Sequence, residues 1–489
     1  MSVLNTKIDF QKIFYPQSIA FVGASSVPGK WGFVIPANII KGGYEGKFFP
    51  VNPNSSSMFG LPCYPTLSDI KEEVDLVVIT VPAKHVSSII DECIAKKVKG
   101  IVVITSDFSE TGKEGALLEK EISAKAKACG IELVGPNTMG IYNAYSKLNI
   151  LMPFVEAFPG YVSIISQSGN VGAQLMTECV KHGIGINKLI SSGNEANIKC
   201  EDYISYLISD EKTKVIALYI ESLKDGQRFI NICKELKAAK PIIIYKAGKT
   251  HGGKLAAASH TGAMAGSTEI YRSVFKQCGI VEAESIEEMI DIIGGFLSYP
   301  VPRGNKVGII TIGGGWGVIA ADECESHGLN LPQLSDDIME KFNNLLPKYW
   351  SKRNPVDMAA ILTIDVYPKA IEIMASWKEV DSIISLGGGV PMSTFFDHGS
   401  FTERFGLKKE DVDLMLHKVS VLIKEHKESL LKLMKKYNKP IFHVESSREE
   451  NVCQTMKQYN LSLFRSPERA VKVLKKMYDY HKMLERMSQ

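Results

Sequence analysis

The sequence contains no CxxC pair, no GxxxxGK[ST] run and no long apolar stretch, and its net charge is only +3. Nine cysteines scattered without pattern exclude a disulfide framework and the common zinc sites, and they read as reduced thiols of a cytosolic chain. Apolar runs such as LVVIT (76–80) and GIVVIT (100–105) fall far short of the roughly 20 residues a membrane-spanning helix needs. The opening MSVLNTKIDFQKIF has no uninterrupted apolar core and no small-residue cleavage site, so no secretory signal is expected and a cytoplasmic location is. No basic block interleaves with aromatics, which argues against nucleic acid as a partner.

Hydrophobic residues make up 45% and charged residues 23%, the balance of a globular protein. A chain of 489 residues is too long for one core. Short β-branched runs separated by glycine-containing turns and amphipathic stretches recur: IAFVG (19–23), LVVITV (76–81), GIVVIT (100–105) and IELVG (131–135). Such alternation predicts parallel strands in βαβ units with both sheet faces covered. The rhythm restarts with YVSII (161–165), INKLI (186–190), VIALYI (215–220) and PIIIY (241–245). It restarts again after the linker-like SYPVPRGNK (298–306), with KVGIITI, VDSIISL and KPIFHV. The expected organisation is three α/β domains, 1–155, 156–300 and 301–489, the last carrying a helical segment over 403–436. A final helix is expected to open at Ser466 and Pro467.

Strand IAFVG runs into ASSVPGKWG (24–32) and then a helical stretch expected near Phe33. A strand opening through a small, glycine-bearing loop into a helix aims backbone N–H groups and the helix dipole at an anion. The spacing is not GxGxxG, so the dinucleotide fingerprint is missing. VNPN (51–54), TVPA (80–83), TSDFSETG (105–112) and VGPNTMG (134–140) each follow a strand, at the sheet edge where ligands of open parallel sheets lie. Together these loops resemble the CoA-binding domain of succinyl-CoA synthetase α subunits and ADP-forming acetyl-CoA synthetases. The resemblance implies a Rossmann-like domain with Gly23, Ser25, Lys30, Pro53, Val81, Pro82, Pro136 and Asn137 at or near CoA. One departure stands out: where that family often has Ser/Thr-Ala-Gly-Phe, this chain has Thr105-Ser106-Asp107-Phe108.

The second unit carries AAASHTGAMAG (256–266), a histidine among small and hydroxyl residues, read as a loop. Neutral imidazole is nucleophilic and leaves readily, so it relays phosphoryl groups well. A histidine merely hydrogen-bonded in a turn is the competing reading. Strand YVSII leads into Ser166-Gln167-Ser168-Gly169-Asn170 and an apolar-periodic helix, a helix start suited to phosphate. Glu221 ends strand VIALYI and could fix the His260 tautomer; the lesser alternative is a surface acid that begins a loop. YIESLKDGQRF, YKAGKT and ASHTGAMAG closely resemble the α-subunit pattern of ADP-forming acetyl-CoA synthetases, in order through residues 15–300.

That resemblance implies His260 as the phosphorylated residue, Glu221 as its stabilising carboxylate, and Ser166, Gln167, Ser168 and Gly169 as the phosphate-binding helix start, with no metal ligand on this chain. It further implies two flavodoxin-like, succinyl-CoA-synthetase-type domains after the first, with SSGNEAN (191–197) near the acyl group. The glycine loop TIGGGWGVIAADECESHG (311–328) and RNPVDM (353–358) match its second ligase-like domain. No segment reads as ATP-grasp, so ADP or ATP with Mg2+ is expected on a separate ATP-grasp β subunit, in a heterotetramer by resemblance. The implied activity interconverts acyl-CoA, ADP and phosphate with carboxylate, CoA and ATP. Two other readings keep the scaffold: an acyl or carbamoyl transferase without nucleotide, and a non-catalytic CoA sensor.

Overall fold

The computed structural model describes residues 8–235, 240–261, 267–358, 366–387, 406, 408–445 and 449–488. The side chains of 257–261, 409, 415, 416, 419 and 488 lie outside that description.

Five parallel strands build the first sheet: β1 (Ser18–Val22), β2 (Lys47–Val51), β5 (Leu76–Ile79), β6 (Gly100–Val103) and β7 (Glu132–Val134). Their order is β2-β1-β5-β6-β7. A two-stranded ribbon, β3 (Ser57–Met58) and β4 (Leu61–Pro62), interrupts the return from β2. Every residue of β1, β5 and β6 is buried, as unbroken apolar strands covered on both faces require. The chain goes out to β2 and returns on the other side of β1, which places a switch point between β1 and β5, where such sheets open a crevice.

The second sheet runs β14-β13-β12-β10-β11-β8-β9. Its parallel strands are β10 (Pro159–Ser166), β11 (Ile186–Ser191), β12 (Val215–Ile220), β13 (Ile242–Lys246) and β14 (Val281–Glu282). Two short strands, β8 (Ile141–Asn143) and β9 (Leu148–Asn149), extend it antiparallel. The chain therefore enters the second sheet at Ile141, ahead of the boundary expected at 155. Asn143 anchors this strand, its amide donating to the Phe14 carbonyl at 2.8 Å. Both sheets belong to one compact unit reaching Met289. One apolar cluster spans them, from Phe14 and Phe21 through Ile165 and Tyr203 to Phe275.

The other unit is formed mainly by Ile290–Gln489. Its parallel sheet has the order β16-β15-β17-β18-β19, with β15 Val307–Thr311, β16 Val356–Asp357, β17 Ser382–Leu386, β18 Ile441–Val444 and β19 Leu463–Phe464. The glycine run ends strand β15 and opens helix Gly314–Ser326, as expected of TIGGGWG; Trp316 sits half-buried in its first turn. The expected helical segment is one long helix, Lys409–Tyr437, and it packs on helix Val366–Ser376 through Tyr367 and Glu372. The last helix begins at Pro467, as expected. All nine cysteines are free thiols. No helix among the described residues is long and apolar enough to cross a membrane.

Candidate functional site

The loop after β1 is shaped by glycine. Gly23 has φ +96°, and a Cβ there would sit 2.5 Å from Thr80 Oγ1 on the neighbouring strand end. Only glycine gives that backbone both its left-handed turn and its close approach. Ser25 N–H donates to the Gly32 carbonyl at 2.9 Å, folding the loop back on itself. The helix then starts at Trp31, two residues before the expected Phe33, with Lys30 as its N-cap and no side chain capping its first turn. The first N–H groups of such a helix are free of intrahelical partners and can serve an anion. Asn52 ties the adjacent loop to this one, donating to the Ala24 carbonyl at 2.6 Å, and leaves Pro53 exposed beside it.

The carboxyl ends of both sheets in this unit open on one cleft of 680 Å³. From the first sheet it takes Trp31, Thr80, Val81, Pro82, Ile104 and Thr105 to Asp107; from the turn to the second sheet, Asn137 to Met139. From the second sheet come Gln167 to Asn170, Gly193 to Glu195, Ser222 and Lys224. Of the expected residues, Val81, Pro82, Asn137, Gln167, Ser168 and Gly169 thus converge. Gly23, Ser25, Lys30, Pro53 and Pro136 stand in the loops around it without lining it.

Helix Gly169–Lys181 begins inside this cleft. A Cβ on Gly169 would lie 2.1 Å from Met139 Cγ, so glycine lets the helix start press against the first sheet's exit loop. Ser166 is fully buried and its hydroxyl donates to the Ser168 carbonyl at 2.5 Å, so it shapes the loop from beneath rather than facing the cleft. Gln167 works as a clamp. Its Oε1 accepts from the N–H groups of Glu221 (2.7 Å) and Ser222 (3.1 Å), and its Nε2 donates to Ser222 O (2.8 Å) and Glu195 Oε1 (3.1 Å). Ser168 and the leading N–H groups of the helix are what this loop offers a ligand.

Glu221 is buried, beyond the cleft lining, with its carbonyl accepting from Lys246 Nζ at 2.7 Å. Burial pushes the Lys246 ammonium below its ordinary range while the neighbouring Glu221 pulls it back up.

His260 was expected on a loop. The backbone instead forms helix His251–Thr261, and His260 falls in its last turn; its side chain lies outside the described residues. The sequence supports this: Thr250 Oγ1 caps the helix by accepting from Gly253 N–H at 3.1 Å, and three consecutive alanines favour the helix. The helix packs against the Ser109–Thr111 turn of the first sheet's domain, whose loop also supplies Asp107 to the cleft.

Asp107 has φ +73°, the left-handed region that favours glycine, and Glu110 Oε1 accepts its N–H at 2.8 Å. The residue that departs from the family pattern therefore sits in a backbone conformation made for the glycine it replaces.

Of the expected SSGNEAN segment, Gly193, Asn194 and Glu195 line the cleft, and several further wall residues were not named one by one in the sequence. Trp31, Met139 and Met152 give the cleft apolar surface. Asn194 joins the two sheets' loops by donating to Glu110 Oε2 (2.6 Å) and Glu119 Oε2 (2.8 Å). Lys224 reaches the Asn194 carbonyl. Glu195 is 2% exposed, adopts φ +54°, and burial raises its carboxyl to about 7. Their only common sequence signal was the position of these segments at strand ends.

A cleft built from a CoA-type Rossmann loop set and a helix start from an adjoining flavodoxin-like sheet defines an acyl-CoA ligase of the nucleoside-diphosphate-forming class. Comparison with known proteins agrees. The CoA binding domain matches residues 17–144, the succinyl-CoA ligase like flavodoxin domain residues 159–296, and the Ligase-CoA domain residues 307–387. The chain is 34% identical over 481 residues to the "Acetate--CoA ligase [ADP-forming] I subunit alpha" of Pyrococcus furiosus, covering 97% of this chain and 98% of that one. It is 41% identical over 373 residues to the subunit alpha of ligase II from the same organism, covering 76% and 81%. It also matches a dinucleotide-forming acetyl-coenzyme A synthetase 1 of Ca. Korarchaeum cryptofilum, solved with phosphate and ADP, with TM-score 0.83, 31% identity and 98% coverage of both chains. The chain belongs to the ADP-forming acetate–CoA ligase family and corresponds to its α subunit.

Proposed function

We propose that this chain performs the CoA and phosphohistidine half of an ADP-forming acyl-CoA synthetase cycle. One observation carries the reading: the CoA-type loops of the first sheet and the helix start Ser168–Asn170 of the second share a single cleft. Gly23, Ser25, Lys30, Pro53 and Pro136 shape the CoA loops, and Val81, Pro82 and Asn137 contact CoA from the wall. The uncapped helix at Trp31 suits the CoA phosphates.

In the energy-conserving direction a phosphate oxygen attacks the thioester carbonyl carbon. The C–S bond breaks, CoA leaves as the thiolate, and an acyl phosphate forms. Ser168 and the N–H groups after it hold the phosphoryl oxygens, with Ser166 and Gln167 fixing the loop. A His260 ring nitrogen then attacks phosphorus, the P–O bond to the acyl group breaks, and the carboxylate departs. Glu221, two strand ends further along the chain yet joined to the phosphate loop by Gln167, stabilises the charged ring. The phosphoryl group passes from His260 to ADP.

ADP or ATP with Mg2+ is assigned to a separate ATP-grasp β subunit, assembled with this chain as a heterotetramer. Two features support that division. The three matched domains span residues 17–387, and the chain aligns almost end to end with a protein named as an α subunit. A cytoplasmic site of action fits free buried thiols. Replacing His260 with Ala should abolish acyl-CoA turnover with the partner present while CoA titrated by calorimetry binds with unchanged affinity. A folded variant that has lost CoA would contradict the separation of the two roles.

A further inference from the structure

Glu195 is the one buried carboxyl on the cleft wall among the described residues. Its Oε1 accepts from the Ser192 hydroxyl at 2.8 Å and from Gln167 Nε2 at 3.1 Å, and its Oε2 is buried with no hydrogen-bond partner. Behind it, at the start of helix Cys200–Ser209, the fully buried Glu201 carboxyl has no well-formed hydrogen bond, only the weak Cys200 thiol and its own backbone N–H beside it. Donor atoms of Glu195, Glu201 and Cys200 all lie within 4.8 Å of one another.

Two carboxylates this close in a dry region cannot both stay ionised without a cation between them. Among the described residues neither makes an ion pair with a lysine or arginine. The cations nearby act on the pair without bonding to it: Lys224, which reaches the Asn194 carbonyl, favours the charged form of Glu195, and Lys199 and Arg228, the latter paired with Asp202, favour that of Glu201. The Tyr203 hydroxyl and the Cys200 thiol beside them are both held in neutral form by burial. Burial outweighs these cations and favours a proton on the pair. Burial, reinforced by Glu201 and opposed by Ser192 and Gln167, brings the Glu195 carboxyl to about 7.

We propose that Glu195 is a positioning residue of the phosphate site: with its proton it lets a dianion settle at Ser168–Asn170, and without it the carboxylate repels that dianion. The Gln167 amide, bonded at one end to Glu195 and at the other to the backbone of Glu221 and Ser222, ties this carboxyl to the loop that carries Ser168. The inference rests on the reading that this helix start receives phosphate.

Sulfate is the suitable probe, because it stays doubly charged across the whole range in which Glu195 titrates. Calorimetry should show wild type binding sulfate about tenfold tighter near pH 6 than near pH 8.5, the effect of about 1.4 kcal/mol of repulsion. Compared on a His260→Ala background, which takes the imidazole out of the same site, Glu195→Gln should bind equally at both, at the acid affinity of the chain that keeps Glu195. Glu195→Asp, still an acid, should restore the dependence. Glu201→Gln, which removes the like charge, should move the wild-type midpoint to lower pH, a change that a merely structural role for Glu195 does not produce. A pH dependence that survives in Glu195→Gln on that background overturns the proposal. So does one equivalent of a divalent metal bound to wild type and lost in Cys200→Ser. No sulfate binding at any pH sinks the phosphate-site reading itself, whereas binding that ignores pH sinks only the role of Glu195.

Discussion

In the unit formed mainly by Ile290–Gln489, the ring of His426 is enclosed although the residue as a whole is half-buried, and its Nε2 finds no hydrogen-bond partner. It packs edge-on against His443 at 5.1 Å and tilted against Tyr367 at 5.4 Å. His443 is committed elsewhere, with Ser385 Oγ 3.1 Å from Nδ1 and Glu445 Oε2 3.3 Å from Nε2. Burial lowers the His426 imidazole to about 3, with His443 and Lys427 pulling the same way and Glu445 opposing them. The folded state thus disfavours a proton that the unfolded chain accepts near pH 6.5. The neutral ring's contribution is fully present above that value and is lost as pH falls toward 3. At pH 5 the loss is about 2 kcal/mol, because the unfolded chain's advantage in binding that proton grows by about 1.4 kcal/mol for each pH step below 6.5. For a unit of this size that lowers the melting temperature by about 4–8 °C between neutral pH and pH 5. His426→Phe keeps the ring contacts and removes the titration, so its melting temperature should fall by that much less over the same interval. Thermal unfolding followed by circular dichroism at both pH values measures the difference. Parallel pH slopes for wild type and variant would refute the reasoning, whatever their offset at neutral pH.

Lys188 is fully buried and donates to Asp210 Oδ2 at 2.8 Å. Lys188→Ala leaves that carboxylate with only the neutral donors Asn187 and Thr213 and no cation bonded to it, and should destabilise the unit by about 3 kcal/mol, read from the urea midpoint. Gly23→Ala places a Cβ 2.5 Å from Thr80 Oγ1 at φ +96°, and should cost about 1–3 kcal/mol together with CoA affinity; retained affinity and stability would mean the loop adapts freely. Asp107→Gly puts glycine at φ +73° and should stabilise by about 1 kcal/mol, measured in the same urea titration. A loss of stability there would show that the carboxylate makes contacts that outweigh the backbone strain.

The sheets were legible because unbroken runs such as LVVI and VIALYI can only be strands covered on both faces. What escaped was set by short or distant pairing. β8 and β9 have three and two residues, too few for a periodicity, and they carry the chain into the second sheet early. Serine, threonine and glycine around His260 suggested a loop, yet the alanines and the Thr250 cap make a helix. The cleft's position at the strand ends followed from the rhythm of the chain. The Gln167 clamp did not, because it unites residues 167, 195 and 221, whose proximity exists only after three strands have paired. SSGNEAN carried Glu195 as part of a segment, but its burial and its closeness to Glu201 were not legible there, because they exist only in the folded chain.

The central claim is that His260 carries phosphate between an acyl phosphate and ADP. The most direct measurement incubates wild type and His260→Ala with labelled phosphate, magnesium and a panel of acyl-CoAs, with and without an ATP-grasp partner. Acid-labile, base-stable label is expected on wild type alone, with the most effective acyl-CoA identifying the substrate class. Label retained by His260→Ala, or none on wild type while CoA still binds and the partner binds nucleotide, would contradict that claim.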